Sequence, residues 1–80
     1  ENTFCGKKYD VVEANIVADV IIALTSKIPD FIKDGGIFIS SGIIVERLDD
    51  VLKALEEKNF DVIEIKRKKG WAAVASRYNG

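Results

Sequence analysis

Histidine and methionine are absent from this 80-residue chain, and cysteine, proline and tryptophan occur once each. Without histidine there is no Ser-His-Asp triad, no Cys-His pair and no imidazole base working near neutral pH. The lone Cys5 excludes an internal disulfide and fits a reducing, cytoplasmic compartment; with no His beside it, neither a metal site nor a thiol catalyst is expected. Long apolar runs are missing too. None approaches the ~20 residues that a membrane helix needs, and no signal-peptide pattern opens the chain, so a soluble protein with no membrane partner is expected. Neither sign of charge dominates: 12 basic side chains stand against 13 acidic ones. No whole-chain field therefore draws in nucleic acid or anionic lipid, and such a partner would need a local patch. Because methionine is missing even at the first position, a chain opening on Glu1-Asn2-Thr3 is expected to be processed or, more in keeping with the element pattern below, an internal piece of something longer.

Eighty residues suffice for one small domain that buries roughly 60% of the surface its unfolded chain would expose; a second core is excluded. Residues Glu1 to Lys8 are polar and contain Gly6, which marks a loop. From Tyr9 the residues Val11, Val12, Ala14 and Ile16 form a near-continuous apolar run, interrupted by Glu13, of the kind found in strands covered on both faces. The period then changes to a helical one: Val17, Val20, Ile21, Leu24, Ile28, Phe31 and Ile32 share one face, and Asp19, Ser26, Lys27, Asp30 and Lys33 are left for solvent. Pro29 inside that pattern should kink the helix or start a second short turn after Ser26. Asp34-Gly35-Gly36 is expected to end the helix, since glycine tolerates the left-handed conformation common there.

A strand follows at Ile37-Phe38-Ile39 and runs through Ser40-Ser41-Gly42 into Ile43-Ile44, with Gly42 at its far end where backbone bends or admits a close approach. Val45 to Lys58 is helical again, with Leu48, Val51, Leu52 and Leu55 inward and an i,i+4 pair of Asp49 and Lys53 outward. Asn59 can close this helix. Phe60 to Lys66 alternates as a strand with Ile63 and Ile65 on one side, Lys68-Lys69-Gly70 reads as a turn, and Trp71 to Tyr78 closes an antiparallel hairpin.

The order is strand, helix, strand, helix, strand, strand. Two right-handed crossovers moving the same way place both helices on one face of an α/β sheet, leaving the other bare. The first strand, apolar in both directions, instead expects cover on both faces and a neighbour on its outer edge. The pattern is that of half of a larger sheet.

Asn15 is the most informative residue. In open α/β sheets the ligand crevice lies outside the carboxyl ends of the strands, and Asn15 puts a polar amide there. The alternative reading has its side chain cap the following helix.

These residues resemble a known family. The element order, ending in an antiparallel hairpin, is similar to the second half of the Rossmann-like sheet of class I S-adenosylmethionine-dependent methyltransferases. Within that group Tyr9-Asp10-Val11-Val12-Glu13-Ala14-Asn15-Ile16-Val17-Ala18 resembles the Asp-x-Val-x-Ala-Asn-Ile-Leu-Ala signature of the ribosomal protein L11 methyltransferases. Phe38-Ile39-Ser40-Ser41-Gly42-Ile43 is similar to their strand ending in Ser-Gly-Ile after a Gly-Gly turn, and Gly70-Trp71-Ala72-Ala73-Val74 to their closing Trp-x-Ala strand. Departures are Asp34, where the superfamily usually carries Pro, and Glu13 at a usually apolar strand position, which should need a partner or a watery cleft. The family's glycine-rich loop, ribose-binding acid and adenine-contacting segment have no counterpart here; no G-x-G-x-x-G spacing occurs.

The resemblance implies that residues 1–80 are the C-terminal portion of a methyltransferase catalytic domain whose partners are a ribosomal protein substrate and the N-terminal half of the same enzyme. It implies S-adenosylmethionine as cofactor, Asn15 as both a catalytic and a cofactor-binding residue, and no turnover by the isolated chain. Methyl transfer to an amine is an in-line displacement governed by positioning. An Asn carbonyl oxygen, with the backbone carbonyls of Ala14 and Ile16, can accept N–H bonds from a neutral amine and stabilise the positive charge growing on nitrogen. Other candidates have blander readings. Ser40 and Ser41 lack a base and are expected to make strand-end hydrogen bonds. Lys66, Arg67, Lys68 and Lys69 form a basic turn that either stays solvated or faces ribosomal RNA or an acidic partner. Trp71 is expected in core or hairpin packing, and Asp19 opposite the helix dipole. The competing readings are a non-catalytic α/β binding or assembly module and a class I methyltransferase with another substrate.

Overall fold

The computed structural model describes residues 8–80; the expected loop around Gly6 and the lone Cys5 lie outside the described residues. Four strands form one sheet: β1 (Tyr9–Asn15), β2 (Ile32–Ile44), β3 (Phe60–Lys68) and β4 (Trp71–Tyr78), in the spatial order β1-β2-β4-β3. β1 and β2 are parallel, and β4 runs antiparallel to both its neighbours, so β3 shares the direction of β1 and β2. The connection from β2 to β3 steps over the position that β4 fills. Two helices, α1 (Ala18–Leu24) and α2 (Leu48–Glu57), make the crossovers.

Both helices pack on the same face, as the right-handed crossover rule requires. Ala18 and Ile21 of α1 and Leu48, Val51 and Leu55 of α2 join Phe38, Ile43, Phe60, Ala72 and Val74 of the sheet in a single core. Two hydroxyls lie inside it. Ser76 donates to the Phe38 carbonyl at 3.2 Å and Ser40 to the Val74 carbonyl at 3.5 Å, which keeps both side chains satisfied although neither meets water. Outside the core Arg47 links the helices, reaching Asp19 at 2.7 Å and Asp50 at 2.9 Å. These hydrogen bonds, the one to Asp19 foremost, raise the guanidinium pKa above its ordinary value. The expected Asp49–Lys53 pair is not formed among the described residues; Asp50, one position on, meets Arg47 instead.

Three expectations are corrected. The first helix does not run to Lys33. It stops at Leu24, where Thr25 turns its hydroxyl onto the Ile22 carbonyl at 2.7 Å, and Pro29 sits in a separate 3-10 turn (Ile28–Asp30), the second of its two expected outcomes. Val17 and Val20, assigned to the buried face, are 63% and 45% exposed because this short helix brings only Ala18 and Ile21 fully inward. Asp34-Gly35-Gly36 is not a helix end but part of β2, which begins at Ile32 beside Tyr9 and carries a register irregularity before Val11 pairs with Ile37. Gly36 is needed there, since a Cβ would stand 2.7 Å from the Ile32 side chain and 2.8 Å from the Lys33 carbonyl.

In β3 a bulge between Val62 and Glu64 breaks the alternation, leaving Ile63 50% exposed while Ile65 stays partly buried against the core. The hairpin closes as expected: Lys69 (φ +48°) and Gly70 (φ +86°) both take positive φ, the two-residue turn whose twist matches that of the flanking strands.

Among the described residues nothing covers the face opposite the helices. Val12 and Ala14 pack on the core, whereas Val11 is 56% exposed and Glu13 and Asn15 stand exposed beside it. Glu13 is exposed and makes no ion pair among the described residues.

Candidate active site

The carboxyl ends of β1 and β2 lie side by side, with Asn15 opposite Ser41 in the parallel ladder. Chain direction puts the start of β4 at the same edge, since Trp71 pairs with Ile44 on one side and with Lys68 on the other. Three segments distant in sequence therefore meet there: the Asn15-Ile16-Val17 exit of β1, the Ser41-Gly42 segment of β2 and the hairpin tip with Trp71.

The Asn15 amide does not cap α1. Val17 is the N-cap residue and the helix start has no side-chain cap bond. The carboxamide instead lies over Gly42: a Cβ at position 42 would be 2.6 Å from Asn15 Oδ1 and 3.3 Å from the Ile16 carbonyl oxygen. Gly42 also has φ +78°, a conformation that side-chain-bearing residues rarely adopt. A register shift in the β2–β4 ladder between Ser40 and Ile43 places this glycine at the bend. Asn15 Oδ1 and the Ile16 carbonyl oxygen thus pack closely against Gly42, an approach that only glycine permits.

Ser41 shares this edge and its hydroxyl reaches the Ala14 carbonyl at 3.5 Å. Ser40 does not: it points into the core under the helices, so of the two serines only Ser41 borders the crevice. Neither has a base beside it. Asp19 opens α1 and is held by Arg47, a structural pairing that adds to its favourable place in the helix's first turn.

Trp71 was expected in packing and is instead 54% exposed. It forms a ridge between two hollows that both reach Gly42. One, of about 220 Å³, is lined by Val17, Asp19, Ile44 and Arg47 as well; the other, of about 200 Å³, by Ser41, Lys66, Lys68 and Ala73. Gly42 is the bend and close approach expected at the far end of β2, whereas the outward place of Trp71 at this edge was not expected from the sequence. A larger hollow, of about 470 Å³, lies between α2 and β3, where Asp49, Lys53 and Glu56 meet Phe60 and Val62. It is away from the strand ends, and its charged rims are exposed. Among the described residues no group of three or more acidic, Cys or His side chains could hold a metal ion, and no helix is long and apolar enough to cross a membrane.

Residues 1–79 match the family model described as ribosomal protein L11 methyltransferase (PrmA). The chain is similar to proteins of that name from Dictyoglomus thermophilum (46% identical over 70 residues, 88% of this chain and 23% of the relative) and Caldicellulosiruptor bescii (48% over 71 residues, 89% and 23%). It thus spans about a quarter of the length of these curated relatives. Among solved structures it is similar to the ribosomal protein L11 methylase of Lactobacillus delbrueckii subsp. bulgaricus, with a TM-score of 0.88 at 26% identity over 95% of this chain and 39% of that one. The M1.HpyAVI–SAM complex shares the fold alone, with a TM-score of 0.73 at 10% identity over 90% of this chain and 45% of that one. The sheet order, the Asn15–Gly42 contact at the strand ends and these likenesses lead to one assignment: the chain belongs to the ribosomal protein L11 methyltransferase family.

Proposed function

We propose that this chain is the carboxyl-terminal part of the catalytic domain of an S-adenosylmethionine-dependent methyltransferase that acts on amino groups of ribosomal protein L11. In this reading Asn15 orients cofactor and amine together. The observation that carries it is the Asn15 carboxamide, exposed at the strand carboxyl ends, unused as a helix cap and converging with the Ile16 carbonyl at Gly42. Its relatives' names support methyl transfer to L11.

The residues present fit one side of that cofactor. Asn15 offers a donor and an acceptor at the strand ends, and Gly42 beneath it lines the adjoining hollows, which suits contact near the reacting centre. The nucleoside would need residues other than these, for no glycine-rich phosphate or nucleoside loop occurs in the chain. When bound, S-adenosylmethionine supplies a methyl carbon made electrophilic by a sulfonium.

What this chain's residues contribute is position. An amine must be neutral to react, and with its lone pair directed at the methyl carbon its N–H bonds point away, where Asn15 Oδ1 and the Ile16 carbonyl can receive them. The same oxygens are closer partners for the nitrogen as positive charge grows on it, so they stabilise the transition state more than the bound amine. Trp71 and Val17 supply apolar walls for the alkyl chain that carries the amine. The whole enzyme containing this chain, given S-adenosylmethionine with an isotopically labelled methyl group and purified L11, should label L11 on amino groups. Peptide mapping by mass spectrometry reads the result; label that never reaches an amine of L11 would overturn the reading.

A further inference from the structure

The segment that presents Asn15 is short and lightly held. The β1–β2 ladder ends at the pair of Asn15 with Ser41, and α1 begins soon after with Val17 as its N-cap and no side-chain cap bond. So short a helix is marginal by itself, and packing decides where it lies; α1 turns only Ala18 and Ile21 fully inward. Arg47 adds a further hold. It ends the 3-10 turn Val45–Arg47 that leads from β2 into α2, and its guanidinium spans two carboxylates. Nη2 meets Asp19, in the first turn of α1, at 2.7 Å, and Nε meets Asp50, in the first turn of α2, at 2.9 Å. With both nitrogens engaged, the guanidinium is a planar two-point brace between the helices rather than a free receiver of anions. Asp19 and Arg47 also wall the hollow of about 220 Å³ that Gly42 and Trp71 border, so the brace stands at the helix side of the site.

We propose that Arg47 is a positioning residue for methyl transfer: its brace fixes the start of α1 against α2, and with it the Asn15-Ile16-Val17 exit of β1 that presents the amide. The inference rests on the reading of Asn15 as the amine-holding residue. Asp19 stands four positions beyond Asn15, and the chain between them enters the helix at Val17, so movement of the first turn of α1 is carried to the amide. An unbraced first turn without a cap frays. An amide displaced in this way still lets the amine bind but receives its N–H bonds poorly as charge grows on nitrogen, which lowers kcat rather than raising KM. Exposed ion pairs add little to global stability, so the brace matters more to the site than to folding. The other end of β1 supplies a control, for Lys33 meets Asp10 there at 3.4 Å in an exposed pair remote from Asn15.

The test is a double-mutant cycle in the whole enzyme, with kcat and KM measured for L11. Arg47→Ala should lower kcat about fivefold, leave KM within about twofold and move the thermal midpoint by no more than about 2 °C. Asp19→Asn should do the same and add nothing to Arg47→Ala, while Lys33→Ala keeps the kcat of the parent. Arg47→Lys, which retains the charge without the fork, should stay below the parent. Once Asn15→Ala has removed the amide, Arg47→Ala should cost no further rate, since its effect passes through that amide. A further fivefold loss in the Asn15→Ala background would overturn the inference and leave the Asn15 reading intact, as would an unchanged kcat in Arg47→Ala or full recovery in Arg47→Lys. An Asn15→Ala enzyme as active as the parent would instead remove the reading on which the inference rests.

Discussion

Gly42 lies directly beneath the Asn15 carboxamide, so close that a Cβ there would come within 2.6 Å of Asn15 Oδ1. The two residues stand 27 positions apart and are brought together by the parallel pairing of β1 with β2, in which Asn15 is opposite Ser41. Any side chain at 42 must push the amide away or shift the β1 exit.

That relationship gives a prediction with an internal control. Gly42→Ala incurs both the positive-φ strain and the collision, whereas Gly70→Ala incurs only the strain, since nothing lies within 4 Å of a Cβ there. Gly70→Ala should cost the whole enzyme about 1–2 kcal/mol of stability and leave kcat/KM close to that of the parent. Gly42→Ala should cost more and also lower kcat/KM by roughly 10- to 100-fold, the scale expected when a positioned group moves by about 1 Å. Thermal denaturation and steady-state kinetics on the two variants check this; equal kinetics would detach Gly42 from the site.

A second prediction concerns the chain alone. In the proposed reading Asn15 touches the cofactor near its reacting centre, but no glycine-rich loop for the nucleoside occurs in the chain. Calorimetric titration of S-adenosylmethionine into the 80-residue chain should show no saturable heat. One-to-one binding at micromolar concentration would show that these residues form a complete cofactor site.

Much of this architecture is legible in the residues themselves. The change from a strand run to helical spacing after Ile16 marks the β1–α1 junction, and Lys69-Gly70 between two alternating runs marks the hairpin. Asn15 stands out because a polar amide ends an apolar strand. The stretch after α1 misleads, since Ile28, Phe31 and Ile32 keep a helical period while Pro29 lies in a 3-10 turn and Ile32 enters β2. The 13-residue length of β2 is hidden for the same reason: two glycines that read as a stop are carried inside a strand with an irregular register. The site's other members depend on register between distant segments. The bend at Gly42 comes from the shift between Ser40 and Ile43, and Trp71 is turned out of the core by its place opposite Ile44 and Lys68 at the sheet's end. The place of Gly42 at the strand's far end announces the bend, but no local pattern turns Trp71 outward.

The bare face carries a third prediction. Val11 is 56% exposed on a strand whose outer edge has no neighbour among the described residues, and Ile63, Ile44 and Trp71 add apolar surface at 50%, 42% and 54% exposure. An edge and face of this kind pair readily with another copy. The isolated chain should therefore self-associate as its concentration rises and bind a dye that fluoresces on apolar surface. Light scattering across a dilution series tests it, and a monomer at every concentration that leaves the dye dark would show that the face needs no cover.

The central claim is that the Asn15 amide positions the amine for methyl transfer, and the most direct measurement is the kcat/KM of Asn15→Ala in the whole enzyme beside a change in the exposed turn that follows α1. Ser26→Ala is that control, since its hydroxyl meets only the Ala23 carbonyl at an exposed site. With both variants folded, Asn15→Ala should lower kcat/KM by about 10²-fold or more, the scale of losing one preorganised contact to the transition state, while Ser26→Ala stays at the parent value. An Asn15→Ala enzyme as active as the Ser26→Ala control would contradict the account.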